Sequence, residues 1–361
     1  MEVKIIEDLK ELELISNEWR KMEKQSHITF YDTYDFNYQW IKSYKDDKNK
    51  KIFIICVYDK EKIVSIAPLI IQYINKKIFK YRELTFIADA DYKNIITDNK
   101  SNNFKIYNLI FETIEKNRDK WDILNLNHIN TSSKLFKYLK KSAKYSKNFK
   151  AFVECPIISL DKFNGYEDYK SKFNSSHAKK YKNKLMREVG YELKVIEDNS
   201  AFNNIVDIHI KEQIYLNGKS NNSNRYSIFT ESRQLSYIKS IYDKCENVVT
   251  FILESKEKEI IGYSTGYKYN GRVHFWNVGV NHKYDRYSVG RILKMELIEW
   301  IFENKYTKLI DFGCGGYHWK FEWTDEFIMD YNLSLWSNNK NVPKIKRMFK
   351  ILEVRRIVKG I

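Results

Sequence analysis

A short basic stretch in the second half of the chain combines residues that could bind an anion. Residues 282–291 read His-Lys-Tyr-Asp-Arg-Tyr-Ser-Val-Gly-Arg and lie between a predicted strand and a predicted helix. Ser288 is suited to cap that helix, and Gly290 would let a ligand approach the backbone. Free N–H groups at a helix start attract phosphate, so we predict a phosphate-binding loop. Its expected contacts are Arg286, Tyr287, Ser288, Val289, Gly290 and Arg291.

A second group of candidates surrounds the next predicted strand. Asp311 stands at the end of that strand, where α/β sheets usually bind their ligands. His274 lies in the preceding strand and carries an imidazole, a common base near neutral pH. Either side chain could take a proton from a nucleophile. The structural alternatives are an Asp311 that caps the glycine-rich loop and a His274 that is hydrogen-bonded in the core. The expected substrate contacts are Trp276, Tyr317, His318 and Lys320.

The glycine-rich segment also allows a covalent mechanism. Cys314 lies among Gly313, Gly315 and Gly316 and could act as a nucleophile, with His318 as its base. The four cysteines of the chain show no Cys-x-x-Cys spacing, and they are too few for a disulfide framework in a chain of 361 residues. We therefore expect no metal site. For the basic loop at 282–291, the ordinary alternative is a strand-to-helix connection that binds no ligand.

The elements that must position these residues occur in the same order twice. In the first half, period-2 and helical patterns predict strands at 51–58, 63–71, 83–88 and 121–126 and a helix at 104–114. In the second half they predict strands at 249–254, 260–268, 272–280 and 308–312 and a helix at 289–302. Each half thus ends in a strand–helix–strand unit, which implies a parallel strand pair with a right-handed crossover. The repeated order predicts a duplicated α/β fold.

Four passages resemble a known family. Residues 286–291 resemble the pyrophosphate loop of GNAT-superfamily acetyltransferases, with one extra residue between Arg286 and Gly290. Trp19 with Phe36 and Trp40, residues 63–69 and residues 311–320 extend the similarity to the tandem-GNAT branch associated with cellulose and other polysaccharide synthesis, a relative of the Fem peptidyl transferases. The last passage departs from that branch because Gly316 and Tyr317 stand where an acidic residue is usual.

This resemblance implies two tandem GNAT-like domains, each a mixed sheet with flanking helices. Residues 1–155 would form a domain that has lost its cofactor loop, since residues 89–103 contain no glycine and several acids. Residues 156–340 would bind coenzyme A, and residues 341–361 would form a basic amphipathic helix. The implied reaction is direct transfer of an acetyl or other acyl group from acetyl-CoA or another acyl-CoA, with the thioester between the strands 272–280 and 308–312. The implied acceptor is a small-molecule amine, and the polysaccharide branch suggests a nucleotide-linked amino sugar.

The formal net charge of +16 allows three kinds of partner. These are a phosphate-bearing small molecule, an anionic membrane and nucleic acid, although a lysine-rich solvated surface explains much of the excess. A basic helix predicted at 173–187 allows two alternative functions. One is a Fem-like transferase that uses an aminoacyl-tRNA donor, and the other is a non-enzymatic module that binds nucleic acid or a membrane. No DNA partner is expected. Without a recognisable signal peptide or membrane span, the expected location is cytoplasmic.

The C-terminal tail is predicted to be helical from Pro343 onward. Ile345, Met348, Phe349 and Leu352 form an apolar stripe at helical spacing, and residues 344–359 carry seven Lys or Arg. The stripe predicts either a helix docked on the second domain or a helix that lies on an anionic membrane at the inner face.

Overall fold

The computed structural model describes residues 1–24, 26, 28–98, 103–173, 176–219 and 225–359. The chain divides into two compact units, Met1–Val153 with Met329–Ile361, and Glu154–Ile328. None of the helices in the described ranges is both long and apolar enough to cross a membrane.

The first part of the chain builds most of the first unit. Its helices and strands are β1 (Glu2–Ile6), α1 (Leu9–Leu14), α2 (Ser16–Glu23), α3 (Tyr34–Ser43), β2 (Lys50–Ile52), β3 (Ile54–Asp59), β4 (Lys62–Ala67), β5 (Leu69–Lys76), β6 (Phe79–Phe86), β7 (Ile96–Thr97), α4 (Asn103–Lys116), β8 (Ile123–Asn130), α5 (Lys134–Lys141) and β9 (Phe149–Ser159).

The second unit follows, and the chain then ends in the first unit. The remaining helices and strands are α6 (Tyr166–Lys172), α7 (Ser176–Glu188), β10 (Tyr191–Ile196), α8 (Phe202–Lys219), α9 (Ser232–Lys244), β11 (Val248–Ser255), β12 (Ile260–Tyr269), β13 (Arg272–Val280), α10 (Val289–Glu303), β14 (Leu309–Asp311), α11 (His318–Phe321), β15 (Phe327–Trp336) and α12 (Val342–Lys359).

The first unit contains two groups of paired strands. One has the order β1-β3-β4-β7, and the other has the order β15-β8-β6-β5-β2. β6 and β8 are parallel, as predicted, and the connection between them contains β7 followed by α4. Apolar side chains of α4, including Ile106 and Ile110, are buried in the core of this unit.

The strands of the second unit are ordered β10-β11-β12-β13-β14-β9. β13 and β14 are parallel, as predicted from the strand–helix–strand order, and the other neighbours are antiparallel. The connecting helix α10 buries Ile292, Leu297 and Ile301 against this sheet, together with Phe251 and Val273 from the strands. The predicted class, α/β with mixed sheets and flanking helices, is confirmed.

Two predicted strands are each divided in the structure. The predicted strand 51–58 becomes β2 and β3, and the predicted strand 63–71 becomes β4 and β5. In both cases the chain passes from one group of strands to the other: β4 pairs with β3, whereas β5 pairs with β6. Pro68, which has no N–H for a ladder, occupies the second break.

The domain limits also differ from those inferred from the sequence. The first division, after Val153, lies close to the predicted boundary at residue 155, but residues from Met329 onward group with the first unit rather than the second. The reason is strand pairing, since β15 lies antiparallel to β8 with Leu333 opposite Leu126. The C-terminal helix packs in this unit as well, with the Phe349 ring 5.4 Å from that of Phe79, so its predicted docking on the second domain is wrong.

Candidate active site

The strands β13 and β14 separate where the predicted site residues lie. They are paired over three residues only, ending with His274 opposite Asp311, and β13 then continues to Val280. On its other side, β13 shifts register against β12 so that Trp276 has no partner between Phe275 and Asn277. Such a bulge bends a strand and increases its twist. The second half of β13 is therefore free of β14 and offers an edge to a ligand.

The connection from β13 to α10 ends in an open helix start. A 3₁₀ helix spans His282–Tyr287, and Ser288 follows in the left-handed region with φ 53°. Contrary to the prediction, the Ser288 side chain makes no capping hydrogen bond. Among the described residues no acceptor is recorded for the N–H groups of Val289 and Gly290, whereas that of Arg291 donates to the Ser288 carbonyl at 3.0 Å.

Gly290 leaves space for a ligand at this helix start. A Cβ atom built on it would meet nothing within 4 Å. A cavity of about 390 Å³ opens here. Its walls include Glu212, Val280, Ser288, Gly290, Lys294 and Trp319. Two N–H groups without an acceptor in the described part of the chain, open space above a glycine and the positive end of the α10 dipole are the features by which helix starts bind anions.

The arginines of the loop are already paired with carboxylates. Arg291 forms two hydrogen bonds to Glu322, of 2.6 and 3.1 Å. The Arg286 Nη2 atom donates to the Tyr287 hydroxyl at 2.6 Å and lies 3.6 Å from Glu188. A ligand bound here must therefore share each guanidinium with an acid.

Asp311 is held on both sides by the protein. It is fully buried, one oxygen lies 3.1 Å from Arg272 Nη1, and the other accepts the Gly313 N–H at 2.8 Å. This arrangement matches the structural alternative, in which Asp311 caps the glycine-rich loop. His274 is buried beside it on β13, with 4% of its surface exposed.

The remaining predicted substrate contacts fall into two groups. Lys320 is buried, and its Nζ atom donates to the carbonyls of Gly313 and Cys314 at 2.7 Å each, so it fastens the glycine-rich loop. Tyr317 is 61% exposed, and the His318 ring lies 3.8 Å from Glu322.

Trp276 occupies the bulge and leaves one polar atom without a partner. Its ring stacks on Tyr267 at 5.8 Å, and its buried indole N–H has no hydrogen-bond partner among the described residues. The sulfur of Cys314 lies 3.0 Å from the sulfur of Cys155.

Two side chains of the cavity were not anticipated from the sequence. Glu212 lies on α8, in a stretch left unassigned, and burial raises the pKa of its carboxyl to about 7 although it accepts the Val280 N–H. Lys294 lies on α10, one turn after Gly290, and burial lowers the pKa of its ammonium to about 7, with a smaller effect from Lys320. The sequence did contain a signal for Lys294. It is a charged residue four positions after Gly290, next to the apolar stripe of the predicted helix.

Comparison with known proteins relates part of the chain to a family model and the whole chain to several solved folds. Residues 174–321 match the model of the acetyltransferase (GNAT) domain. A sequence search of curated proteins gave no match. The fold resembles that of FemX (TM-score 0.55, 10% identity, 92% of this chain and 97% of that chain) and of L-PGS from Bacillus licheniformis (0.53, 13%, 94% and 94%). It also resembles a tandem GNAT protein from the clavulanic acid biosynthesis pathway, described without AcCoA (0.52, 8%, 94% and 100%).

Proposed function

Since residues 174–321 match the model of the acetyltransferase (GNAT) domain and the fold resembles that of a tandem GNAT protein, we propose that the chain transfers an acyl group, in the simplest case acetyl, from acyl-CoA to an amine. The observation that carries this proposal is the start of α10, where Val289 and Gly290 line an open cavity and their N–H groups have no acceptor among the described residues. Coenzyme A supplies a pyrophosphate for this helix start and a thioester as the activated acyl group.

In the proposed mechanism the amine attacks the thioester carbonyl directly. The pantetheine arm runs from the start of α10 toward the bulge at Trp276, along the part of β13 that β14 leaves free. Backbone N–H groups of this edge polarise the carbonyl. His274 is the proposed base, because Asp311 has both oxygens engaged and serves to hold the loop after β14.

The acceptor we propose is an amino sugar or a nucleotide-linked amino sugar, in polysaccharide or cell-envelope biosynthesis, with the protein in the cytoplasm. Tyr317 and His318 are exposed next to the cavity wall formed by Glu322. The proposed substrate contacts are these two residues with Trp276 and Lys320. Polar aromatic side chains of this kind stack on sugar rings and donate hydrogen bonds to hydroxyl groups.

The test combines binding with product analysis. Calorimetry with coenzyme A and acetyl-CoA measures donor binding, and mass spectrometry after incubation with acetyl-CoA and a panel of amino-sugar nucleotides detects a product heavier by one acetyl group. Binding of acetyl-CoA together with an acetylated amine supports the proposal. A folded protein that binds neither coenzyme A nor acetyl-CoA contradicts it.

The second candidate is an aminoacyl-tRNA donor. The helix α7 exposes Lys179, Lys180 and Arg187, which could contact a phosphate backbone. Binding to tRNA that weakens steeply with salt, without binding of coenzyme A, would favour this candidate. The same result without any transfer of an aminoacyl group would favour a non-enzymatic nucleic-acid-binding module.

A further inference from the structure

Lys294 is a buried amine that none of the roles assigned above uses. It has 7% of its surface exposed, and its Nζ atom lies over three aromatic rings, at 5.4 Å from Phe275, 4.6 Å from Phe312 and 5.3 Å from Trp319. Within the described part of the chain no carboxylate or carbonyl is recorded as its hydrogen-bond partner. A buried ammonium is costly unless it is paired, so a group from a ligand is the expected partner.

The position of Lys294 identifies that ligand group. It lies four residues after Gly290, on the face of α10 that lines the cavity. Phe275 precedes the bulge in β13, and Phe312 follows the last residue of β14. The Nζ atom is therefore in the opening between the two parallel strands, one helical turn from the predicted pyrophosphate site. An acyl donor anchored at Gly290 must pass its pantetheine arm through this opening.

We propose that Lys294 is the proton donor to the coenzyme A sulfur as the thioester bond breaks, an inference that rests on the proposed acyl-CoA function. The attacking amine forms the C–N bond, the C–S bond breaks, and its electron pair goes to sulfur. The Lys294 ammonium gives its proton to that thiolate, which yields the free thiol and a neutral amine. The amide nitrogen loses its extra proton to the base, and Lys294 regains a proton from solvent after the product leaves.

The surroundings of Lys294 suit this proton transfer. An ammonium with a pKa of about 7 is a stronger acid than an ordinary thiol, whose pKa is near ~8.5, so the transfer is favourable. The aromatic rings stabilise the cation before the reaction without accepting its proton. The other charged groups that line this cavity or act on Lys294 are Glu212, Asp285, Arg291, Glu322 and Lys320.

The first test needs no acceptor. Coenzyme A is bound to the wild type, to Lys294→Met and to Lys294→Arg, and the ultraviolet absorbance of the thiolate is followed with pH, with desulfo-coenzyme A as the blank. We expect the bound thiol to ionise at a similar pH in the wild type and in Lys294→Met, because Lys294, with a pKa of about 7, is neutral before the thiol ionises. In Lys294→Arg, whose guanidinium stays charged, the bound thiol should ionise at a pH lower by about one unit or more. Lys308→Met, which removes an exposed lysine of the same unit, should titrate like the wild type.

The second test separates proton donation from charge alone. With acetyl-CoA and hydroxylamine as a small nucleophile, Lys294→Met should lose roughly 100-fold or more in kcat, while its affinity for coenzyme A stays within about twofold. Lys294→Arg keeps a positive charge but holds its proton, so it should lower the pH at which the thiol ionises and still lose turnover. Melting curves establish that each variant is folded, and Lys294→Gln replaces any variant that is not.

Three outcomes would overturn the inference. These are a wild-type thiol that ionises at the lowered pH seen in Lys294→Arg, an unchanged kcat and pH profile in folded Lys294→Met, or a large loss of coenzyme A affinity as the main defect of Lys294→Met. A wild type that binds no coenzyme A would instead refute the proposed function itself, so the two failures are distinguishable.

Discussion

The guanidinium of Arg291 is paired with the carboxylate of Glu322 through two hydrogen bonds, although the two residues are 31 positions apart in the sequence. Both line the cavity at the start of α10. The pair removes one positive charge from the predicted phosphate site. A bound pyrophosphate would have to share Arg291 with Glu322 or displace it, so the acid should limit the affinity for the donor.

Glu322→Gln should therefore bind coenzyme A more tightly than the wild type. Removing one negative charge from the cavity wall should lower Kd by about 3- to 10-fold at low salt, with a smaller gain as salt screens the site. Calorimetry at two ionic strengths measures the effect. Asp325→Asn removes the same charge from an exposed carboxylate paired with Lys172 and serves as the control. Equal affinities for the two variants would contradict this explanation.

Gly290→Glu should abolish coenzyme A binding and leave the fold intact. The new side chain would enter open space, and its carboxylate would oppose the pyrophosphate at the N–H groups of Val289 and Gly290. Gly218→Glu is a matched control, because Gly218 also lies in a helix with no atom within 4 Å of a built Cβ. Equal binding of coenzyme A by the two folded variants would refute the predicted loop.

Glu212 should make donor binding depend on pH. Its carboxyl has a pKa raised to about 7 by burial and lies on the cavity wall. Below pH 7 the carboxyl is neutral and tolerates an anionic ligand, whereas above pH 7 it is ionised and repels one. The affinity for coenzyme A should thus fall as pH rises through about 7, and this fall should be absent in Glu212→Gln.

The raised pKa of the Glu212 carboxyl should also make the free energy of unfolding depend on pH. A carboxyl whose pKa is raised on folding, here from 4.5 to about 7, lowers stability as the pH rises between these two values, because the unfolded state loses its proton first. The stabilising effect of Glu212→Gln should therefore grow from about pH 4.5 to about pH 7, stay constant above pH 7 and vanish below about pH 4. Thermal melts of both proteins across this range measure it. A variant whose advantage is the same at every pH would show that burial of this carboxyl is not the cause.

Asp311→Asn should destabilise the second unit. The substitution breaks a buried ion pair with Arg272, and a neutral amide leaves the guanidinium without its counter-charge, at an expected cost of about 2–4 kcal/mol. Chemical denaturation measures this loss. Turnover is then compared at a temperature at which the variant is folded. A large loss of kcat with unchanged coenzyme A affinity would restore Asp311 to a direct role, whereas full activity would leave it a purely structural residue.

The sequence predicted the strand and helix that form the candidate site, but not the ion pairs and pKa shifts of its charged residues. The predicted strand 272–280 coincides with β13, and the predicted helix 289–302 is α10 within one residue, because apolar periodicity and the flanking turn residues are local signals. The carboxylate partners of Arg286 and Arg291 could not be predicted from the sequence. Glu188 and Glu322 are distant in the chain and become neighbours of these arginines only through tertiary packing. Glu212 was missed for a related reason: its raised pKa comes from burial, which a single polar residue in a helical stretch does not reveal.

The last prediction concerns the C-terminal helix and decides between docking and membrane binding. Phe349 lies within 5.4 Å of the ring of Phe79, 5.2 Å of Tyr81 and 5.7 Å of Trp336, all in the first unit. Because these contacts occupy the apolar stripe, Phe349→Asp should lower the free energy of unfolding by about 2–4 kcal/mol.

Lys350→Asp is the control for that variant, because it introduces the same acidic residue at the next position of the helix, which is exposed and lies outside the stripe. It should melt close to the wild type. Neither the wild type nor either variant should sediment with anionic vesicles at low salt, because the stripe is covered and basic residues alone bind weakly. Sedimentation of the wild type that Phe349→Asp abolishes, with an unchanged melting temperature, would instead assign α12 to the membrane and require it to leave the surface on which it packs here.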